Sequence, residues 1–415
     1  MVEKSNTRYN PMGAYRCNSS ITSSSRIGLY VHIPFCVHKC SYCDFYSVVT
    51  LDTMEDFVTA LCHEIELRRR DLQRDVTIET IFWGGGTPSI LPLPFAEKIA
   101  QTIQQHFSVA PDVEWTIEAN PGTVTVEKLS FYRQLGINRV SFGVQSFDPD
   151  ELRFLERIHT ADDAIASVEW ARTAGFDSIN VDLMYALPGQ SIESHRRNLE
   201  QACLLQPDHI SAYSLVYEPG TPLYHRMQRG EVIPQTEDKE AQFYLVTSEL
   251  LAQRGYEQYE VSNFARPGKR CRHNLLYWRR GEYLGFGPSA HSHCANVRWS
   301  NVRSVKRYIE TLCAGQYPIA HLEHLTLQQQ LEEEIFLRLR AEGIDVHWFE
   351  QQYGVSFRVG PLARQWAHLQ EEGIAVKSAS VFRLTKKGYA LCDTVTVELL
   401  HLVEHALPQA AETIL

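Results

Sequence analysis

The sequence predicts an α/β fold of six strand–helix units followed by a small helical domain, and two observations lead to this prediction. Apolar, strand-like runs alternate with amphipathic helical stretches between residues 27 and 217. Beyond about residue 320 the pattern changes to several helices and one short hairpin. Strands that alternate with helices form a parallel sheet, and the chemistry of such a sheet lies at the carboxyl ends of its strands. Six units are fewer than the eight that close a full barrel.

The elements of this fold follow one another regularly along the chain. In the first helix, Phe57, Leu61 and Ile65 recur every four residues and mark one apolar face. Strands are predicted at residues 27–33, 77–83, 114–119, 139–145, 178–187 and 209–217. Helices are predicted between them at residues 52–72, 94–107, 125–135, 159–174 and 191–205.

The last part of the chain has the outline of a winged helix. Helices are predicted at residues 325–341, 346–353, 359–372 and 389–406, with a hairpin within residues 375–385. Residues 321–415 contain 8 Lys or Arg and 13 Asp or Glu, and this acidic balance opposes phosphate binding. The winged-helix-like domain is therefore expected to be a lid or docking domain. The residues before it divide into a tail at 1–26, the strand–helix domain at 27–235 and a connecting region at 236–320.

Composition limits the classes of function that the chain can have. Its 415 residues are 44% hydrophobic and 22% charged, as in ordinary globular proteins. A net charge of −10 opposes general nucleic-acid affinity, and no nucleic-acid partner is expected. No apolar run approaches the ~20 residues that span a bilayer. Seven of the ten cysteines are scattered, which is not a disulfide framework, so a cytoplasmic location is expected.

The first 26 residues are polar and rich in serine, and they are predicted to form a disordered tail. They contain one acidic residue, Glu3, and three arginines, so a transit peptide remains an alternative.

Three cysteines form a compact candidate metal site directly after the first predicted strand. Cys36, Cys40 and Cys43 lie at spacings of four and three residues within one short loop. Three thiolates suit a soft iron–sulfur type of site better than a hard cation. A structural zinc site would need a fourth ligand, which His32 or His38 can supply, so spacing alone leaves zinc open.

Polar or glycine residues also stand at the ends of the next four predicted strands. The second strand ends in a glycine triplet at residues 84–86, which lets a ligand approach the backbone but is also common in tight turns. Glu118 ends the third strand, Gln145 ends the fourth, and Asp182 lies in the fifth. A single residue of this kind is often a helix cap or a polar group with its hydrogen bonds satisfied. Because such residues occur on four successive strands, a ligand site is favoured.

At these residues the sequence resembles the radical SAM superfamily, whose hallmark is a CxxxCxxC loop after the first strand of a partial barrel. The resemblance implies a partial (βα)6 radical SAM barrel. It also implies that Cys36, Cys40 and Cys43 hold a 4Fe–4S cluster, with one iron open for S-adenosylmethionine (SAM). Within the superfamily, the motif positions of this sequence resemble those of the oxygen-independent coproporphyrinogen III oxidase branch. The SAM-binding residues that this branch implies are Tyr30, Tyr42, Gly85, Gly86, Thr87, Glu118, Gln145, Arg157 and Asp182.

One residue separates this chain from the oxidases of that branch. The oxidases resemble CxxxCxxCxC, whereas Phe45 stands here at the position of the fourth cysteine. The oxidases also have a longer segment before the cluster than the 35 residues found here. Cys43-Asp44-Phe45 resembles the sister group HemW, which is regarded as a group of haem chaperones without oxidase activity. The resemblance therefore implies haem binding rather than porphyrin oxidation.

A second group of candidate ligands lies downstream, in His273-Asn274-Leu275-Leu276-Tyr277-Trp278. Histidine commonly holds haem iron, and aromatic rings pack on porphyrin faces. A lone histidine is nevertheless more often structural than a ligand. Because the pattern resembles the haem-binding motif proposed for HemW, His273 is the preferred iron ligand, with Tyr277 and Trp278 against the porphyrin. Cys271 is the alternative ligand, since thiolates also bind haem iron.

The residues around this motif are basic. Residues 266–280 contain six Lys or Arg and no Asp or Glu, which suits anionic groups such as haem propionates. Such a run is otherwise usually a solvated face. The glycine-rich segment that follows resembles a Gly-x-Gly-Ala-His segment of the branch. Its His291 is expected to be structural, although a functional role is an alternative.

Three classes of function remain in competition. The preferred one is a haem chaperone that uses the cluster and SAM and delivers haem to acceptor haemoproteins, which the family implies are respiratory. A radical SAM enzyme that acts on a tetrapyrrole is the alternative, and a nucleic-acid-binding protein is the least favoured. Peripheral membrane contact and a homodimer are further expectations of the preferred class.

Overall fold

The computed structural model describes residues 25–72 and 74–404, which form two compact units. Within the described residues, unit 1 contains 25–143, Leu155–Ile179 and Glu282–Glu323. Unit 2 contains Val144–Phe154, Asn180–Gly281 and 324–404. The predicted tail at 1–26 lies outside the described residues except for its last two, which begin the first strand.

The first six strands alternate with helices, as the sequence predicts. The strands are β1 (Ser25–Ile33), β2 (Val76–Gly85), β3 (Ser108–Ala119), β4 (Arg139–Gln145), β5 (Ser178–Tyr185) and β6 (His209–Ser214). The helices are α1 (Met54–Asp71), α2 (Leu93–His106), α3 (Val126–Gln134), α4 (Pro149–Phe154), α5 (Ala161–Thr173) and α6 (Ile192–Leu204). In unit 1, β1, β2, β3 and β4 pair in parallel in that order, and in unit 2, β5 is parallel to β6. The predicted α/β class is confirmed.

Local chemistry explains where these helices begin and what they bury. Phe57, Leu61 and Ile65 are fully buried on α1, so the predicted apolar face is confirmed. The predicted helix at 159–174 begins instead at Ala161, because Thr160 and Asp163 form a reciprocal capping box. The short helix α4, which precedes it, was not predicted from the sequence.

Residues 236–320, predicted to be a connecting region, contribute to both units. The elements from just before this region to its end are α7 (Pro222–Gln228), α8 (Glu237–Gln253), β7 (Glu257–Gln258), β8 (Asn263–Ala265), α9 (Arg272–Trp278), β9 (Tyr283–Phe286), β10 (His291–Cys294), β11 (Val297–Asn301), α10 (Val305–Cys313) and β12 (Ile319–His324). In unit 2, β8 runs antiparallel to β6. In unit 1, β9 runs parallel to β1, and β10 and β11 continue as an antiparallel pair. These strands are too short to show a period in the sequence.

The C-terminal part of unit 2 has the predicted winged-helix-like arrangement. It contains α11 (Leu327–Leu339), β13 (Ile344–Asp345), α12 (Val346–Tyr353), α13 (Gly360–Glu371), β14 (Val381–Phe382), α14 (Lys386–Ala390) and α15 (Cys392–Val403). β13 and β14 pair antiparallel, and a bridge between Ala375 and Leu384 closes the hairpin. The helix predicted at 389–406 is in fact two, which meet at Leu391.

No helix in the described ranges is long and apolar enough to cross a membrane.

A buried carboxylate ties α1 to the later strands of unit 1. Glu64 is fully buried and accepts hydrogen bonds from the Tyr308 hydroxyl at 2.6 Å and the Gly287 amide at 2.9 Å. Asn301 donates to its other oxygen at 2.8 Å, and the Arg68 guanidinium lies 3.6 Å away. Burial raises the pKa of Glu64, and these donors offset part of that cost. The network holds α1 against the loop after β9.

We expect Tyr308→Phe to lower the free energy of unfolding by about 1–3 kcal/mol, because the variant removes a donor from a buried carboxylate. Urea denaturation followed by circular dichroism measures this loss. Tyr132→Phe is the matched control: Tyr132 is equally buried, but its hydroxyl makes only a long contact of 3.5 Å with the Ser89 carbonyl. Equal losses in the two variants would contradict a special role for Glu64.

Candidate functional site

The cysteine loop follows β1 and is pinned at its two ends by backbone hydrogen bonds. The Cys36 amide donates to the Val48 carbonyl at 3.0 Å, and the Val48 amide donates to the Pro34 carbonyl at 2.7 Å. Inside the loop, the Cys43 amide donates to the Cys40 carbonyl at 3.1 Å. The three predicted cluster ligands therefore lie on one closed loop of unit 1.

Two of the three sulfurs are buried and face hydrogen-bond donors. The Thr87 hydroxyl lies 3.5 Å from Cys36 Sγ, and Arg157 Nη1 lies 3.8 Å from Cys40 Sγ. Cys36 and Cys40 are 8% and 9% exposed. Donors that face sulfur stabilise the anionic thiolates that bind iron. The residues around the loop thus fit an iron–sulfur cluster.

Burial raises the pKa of the Cys43 thiol, and the neighbouring Cys36 and Cys40 raise it further because like charges repel. Metal binding must therefore displace a proton from this residue. Within the described parts of the chain, no three His, Cys, Asp or Glu side chains are grouped as ligands of a single metal ion.

His32, one of the two histidines considered for a zinc site, uses both ring nitrogens inside the protein. Nε2 lies 2.8 Å from the Tyr46 carbonyl, to which it donates, and Nδ1 lies 3.2 Å from the Tyr30 hydroxyl. Burial lowers the pKa of His32 to about 4, so the ring is neutral at pH 7. The other candidate, His38, lies 3.7 Å from the Glu156 carboxylate. His32 is thus an unsuitable fourth zinc ligand.

Residues 156 and 157 hold the cysteine loop from its other side. The Ser41 amide donates to the Glu156 carboxylate at 3.1 Å, and Glu156 has the uncommon positive φ of 53°. Arg157 Nη2 donates to Asn120 Oδ1 at 2.5 Å and to the Gly143 carbonyl at 2.7 Å. Arg157, which the family resemblance assigns to SAM, thus anchors the loop to the ends of two strands.

A small cavity opens beside Cys40 in unit 1. Its lining includes Thr87 and Arg157, two predicted SAM residues, together with Asn120 and Glu156. The sequence did not single out Asn120 or Glu156 as site residues. Asn120 was visible as the residue after a strand end, whereas the role of Glu156 depends on its backbone conformation.

The glycine segment at the end of β2 uses its amides within the protein. The Gly85 amide donates to Glu118 Oε2 at 3.1 Å, and the Gly86 amide donates to the Ile33 carbonyl at 2.8 Å. A Cβ at Gly86 would stand 2.6 Å from the Phe35 carbonyl oxygen, so no larger residue fits there. These two amides are therefore already paired within the protein. Backbone carbonyls, which suit an ammonium group, are what this segment can offer.

Tyr30 and Glu118 lie close together beside this glycine segment. Burial raises the pKa of the Tyr30 hydroxyl, and the nearby Glu118 carboxylate raises it further. Gly84 has no room for a Cβ, which would stand 2.8 Å from Glu118 Oε2. The structure therefore brings together three of the residues that the family resemblance assigns to SAM: Tyr30, Gly85 and Glu118. Tyr42 belongs to the cysteine loop, where its hydroxyl faces Arg157.

The two remaining predicted SAM residues, Gln145 and Asp182, belong to unit 2. Gln145 is buried at the end of β4 with φ of 67°, and its Oε1 accepts a hydrogen bond from the Tyr213 hydroxyl at 2.8 Å. Asp182 is half-buried on β5, and its Oδ1 accepts a hydrogen bond from Asn180 at 2.7 Å.

The predicted haem motif forms the short helix α9 in unit 2. His273 and Tyr277 are four residues apart and face each other, with Nε2 and the hydroxyl oxygen 2.8 Å apart. His273 is only 1% exposed, whereas Tyr277 and Trp278 are half-buried. The preferred iron ligand is thus held by another residue of its own motif. Cys271, the alternative ligand, is fully buried among apolar side chains.

The basic run around α9 is largely neutralised by acidic residues from elsewhere in unit 2. Arg279 forms two hydrogen bonds with Glu342, at 2.6 and 2.8 Å, and Arg280 lies 2.9 Å from Glu333. Lys269 and Arg270 pair with Asp208 and Glu257. The expectation of an open basic patch for propionates is therefore wrong for these four residues, because folding brings carboxylates to them.

His291 is an exposed residue of β10, and the glycines before it lie where the backbone is closely packed. A Cβ at Gly285 would stand 2.0 Å from the His291 carbonyl oxygen, so the two strands approach too closely for a side chain there. Gly287 has φ of 96° and packs on the His32 carbonyl. Packing against β10 at Gly285 and against β1 at Gly287 accounts for the two glycines.

A buried carboxylate lies beside the indole of Trp278. Glu260 is fully buried, and its carboxyl group accepts a hydrogen bond from the Ser262 amide at 3.1 Å. Burial raises the pKa of Glu260 to about 7, while Ser262, Asn263 and Trp278 act in the opposite direction. Tyr244 and Tyr389 also face this group. Glu260 was not predicted from the sequence, since Tyr389, which faces it, is more than one hundred residues away along the chain.

Two parts of the chain match known protein families. Residues 30–202 match the Radical SAM superfamily, and residues 325–391 match the HemN C-terminal domain. The first match contains the cysteine loop, and the second contains most of the winged-helix-like part.

The chain is similar over nearly its whole length to proteins named heme chaperone HemW. It is 37% identical over 370 residues to HemW of Bacillus subtilis, which covers 88% of this chain and 97% of that protein. It is 36% identical over 385 residues to HemW of Mycobacterium tuberculosis, covering 90% and 94% of the two chains.

Among solved structures, the fold is similar to that of coproporphyrinogen III oxidase (HemN) from Escherichia coli, described as a radical SAM enzyme. The TM-score is 0.78 at 24% identity, and 90% of each chain is covered. At this identity the likeness concerns the fold alone. Together with the match of residues 30–202 to the Radical SAM superfamily, this likeness confirms the predicted radical SAM fold.

We expect Trp278 fluorescence to change with a midpoint near pH 7, because the neighbouring Glu260 gains its charge there. The pKa of this group in the folded protein lies above its ordinary value of 4.5. The unfolded chain therefore releases the proton first, and folding stability falls as the pH rises between these two values. The signal is the difference between the wild type and Trp278→Phe.

Glu260→Gln should abolish the fluorescence transition. It should also remove the fall in folding stability as the pH rises between these two pKa values. Glu257→Gln, three residues earlier and exposed, is the control and should leave both unchanged. A transition that survives in Glu260→Gln would show that another group titrates.

Proposed function

We propose that this chain, which belongs to the HemW family within the radical SAM superfamily, is a haem chaperone that binds haem and delivers it to acceptor haemoproteins. The observation that carries the proposal is the similarity to HemW over 97% of the length of the Bacillus subtilis protein. The cysteine loop, whose donors fit an iron–sulfur cluster, supports the use of a 4Fe–4S cluster and SAM.

Unit 1 contains the residues that would hold the cluster. Cys36, Cys40 and Cys43 supply the thiolates, while Thr87 and Arg157 stabilise their charge through hydrogen bonds to sulfur. When bound, the cluster and SAM would supply one-electron chemistry. Arg157 also fixes the loop to Asn120 and Gly143, so that the thiolates keep their places when metal is absent.

The residues assigned to SAM offer acceptors for its polar groups. The carboxylates of Glu118 and Asp182 suit hydroxyls or an ammonium, and the carbonyls of the glycine segment suit an ammonium. Tyr30 and Gly85 keep Glu118 oriented, through its contact with the tyrosine and its hydrogen bond with the glycine amide.

Haem ligation by His273 competes with the hydrogen bond to Tyr277. The hydroxyl hydrogen bond occupies Nε2, so iron binding at that nitrogen requires Tyr277 to turn away. Tyr277 is half-buried, and rotation of its side chain would expose His273. We therefore assign Tyr277 the role of a cover over the ligand, and Trp278 that of a porphyrin contact.

The alternative function is a radical SAM enzyme that acts on a tetrapyrrole, for example as a coproporphyrinogen oxidase. The match to the Radical SAM superfamily is compatible with it, but Phe45 stands at the position of the fourth cysteine of the oxidases and is 67% exposed. For the chaperone, a cytoplasmic location, peripheral membrane contact and a homodimer belong to the same proposal. Respiratory haemoproteins are the proposed acceptors.

Anaerobic reconstitution tests the cluster. We expect iron and sulfide in equal amounts in the wild type, and loss of both in Cys40→Ser because a thiolate ligand is removed. Cys62→Ser is the matched control, since Cys62 is equally buried in unit 1 but lies on α1. Iron and sulfide analysis with visible absorbance measures this. Zinc without iron in the wild type would contradict the cluster assignment.

Haem titration tests whether His273 is the ligand of the haem iron. We expect His273→Ala to weaken haem binding at least tenfold and to change the haem absorbance, because the iron loses its protein ligand. Tyr277→Phe should strengthen binding by about fivefold, since it removes a competing hydrogen bond of about 1 kcal/mol. His291→Ala, at an exposed histidine, is the control.

Unchanged absorbance and affinity in His273→Ala would remove His273 as the ligand. Conversion of coproporphyrinogen III to protoporphyrinogen IX by the reconstituted protein would establish the alternative function instead of the chaperone.

A further inference from the structure

A chain of hydrogen bonds runs through unit 2 from a predicted SAM residue to the predicted haem motif. It begins at Asp182 on β5 and ends at the amide of Cys271, the residue that precedes α9. Three side chains connect the two ends: Asn180, His209 and Tyr259. We refer to these five residues as the relay.

Each link of the relay is short. Asn180 Nδ2 donates to Asp182 Oδ1 at 2.7 Å, and His209 Nδ1 lies 2.5 Å from Asn180 Oδ1. On the other side of the ring, His209 Nε2 lies 2.8 Å from the Tyr259 hydroxyl. That hydroxyl accepts a hydrogen bond from the Cys271 amide at 3.3 Å.

The direction of every hydrogen bond in the relay follows from Asp182. A carboxylate only accepts, so the Asn180 amide nitrogen points toward it and the Asn180 oxygen points away. That oxygen only accepts, so His209 donates from Nδ1. With Nδ1 as the donor of a neutral ring, Nε2 is the acceptor for the Tyr259 hydroxyl, whose oxygen accepts from the Cys271 amide. The donors therefore all point toward Asp182.

The middle of the relay is shielded from water. Asn180 is 1% exposed, His209 and Cys271 are 0% exposed, and Tyr259 is 4% exposed. In such surroundings a change in one hydrogen bond affects the next, and a lost partner is costly. Asp182, in contrast, is only half-buried on β5, so part of its side chain is exposed.

We propose that this relay couples SAM binding at Asp182 to haem binding at α9, with His209 and Tyr259 as positioning residues. The inference rests on the proposed function, because it takes SAM and haem as the two ligands. When hydroxyl groups of SAM bind Asp182, they fix the position of its carboxylate. The hydrogen bonds of the relay then order Asn180, His209 and Tyr259 as well. Tyr259 then holds the Cys271 amide, which sets the first turn of α9.

The coupling is positive. Once SAM has ordered the relay, haem binding no longer bears the full cost of ordering the start of α9. We expect SAM to increase haem affinity by at least about fivefold, the lower end of typical coupling between two sites. By reciprocity, haem increases SAM affinity by the same factor. His273 lies two residues after Cys271, on the turn that the relay positions.

Tyr259→Phe tests the relay because it removes one hydroxyl and leaves the ring. The hydroxyl of Tyr259 both donates to His209 and accepts from Cys271, so the variant breaks two consecutive links. Tyr256→Phe is the matched control. Tyr256 is 2% exposed, and its hydroxyl donates to the Pro207 carbonyl at 2.8 Å, outside the relay.

The experiment uses the reconstituted full chain under anaerobic, non-reducing conditions, in which SAM stays intact. Haem is titrated with and without SAM, and SAM is titrated with and without haem by calorimetry. The wild type and Tyr256→Phe should show the same coupling factor in both directions, and in Tyr259→Phe it should fall to about one. A coupling factor of one in the wild type, or an unchanged coupling factor in Tyr259→Phe, would overturn the relay. Neither result would contradict haem binding by the chain.

Hydrogen exchange distinguishes this failure from a failure of the proposed function. SAM should slow exchange of the backbone amides of residues 271–278 in the wild type and in Tyr256→Phe, but not in Tyr259→Phe. This readout needs no haem, so it holds even if the wild type binds none. Exchange of these amides that does not respond to SAM in the wild type would overturn the relay.

Discussion

The geometry of the cluster site depends on one close backbone approach in unit 1. The amides of Gly86 and Thr87 donate to the carbonyls of Ile33 and Phe35, so the end of β2 is joined directly to the start of the cysteine loop. A Cβ at Gly86 would collide with this backbone. Since Thr87 follows at once and faces Cys36, the same contact places a donor on a sulfur. Glycine here is required by packing, and the position of the thiolates follows from it.

Much of the fold could be predicted from the sequence, because the strand–helix alternation is a signal spread over many residues. The parts that were missed have no such signal. β9, which pairs with β1, has only four residues, and its partner is more than two hundred residues away along the chain. β5 was predicted to reach residue 187 but ends at Tyr185, because Ala186 has φ of 58°. Ends of this kind depend on a single backbone angle that apolar composition does not show.

The candidate site also contains residues that could be predicted from the sequence and residues that could not. The cysteine loop could be predicted because its spacing is local. The strand-end residues could be predicted because parallel strands end at the same edge of a sheet, and Tyr30, Gly85 and Glu118 do lie together. Ion-pair partners that no motif or strand end marks could not be predicted. The run at 266–280 contains no acid of its own, yet Glu333 and Glu342 neutralise two of its arginines in the folded unit. The contact of Tyr277 with His273 Nε2 follows from their spacing of four residues once α9 is known to be a helix, and the sequence did not predict this short helix.

The ion pairs of Arg279 and Arg280 have a consequence for anyone who divides the chain for expression. Composition places a natural boundary near residue 320, before the winged-helix-like part. A protein cut there would keep both arginines and lose Glu333 and Glu342, together with the Arg340 carbonyl that accepts a hydrogen bond from the Val261 amide. The shortened protein would present new positive charge beside α9 and would adsorb to anionic resins, lipids and nucleic acids. Such adsorption would then reflect the cut and not the function of the intact chain.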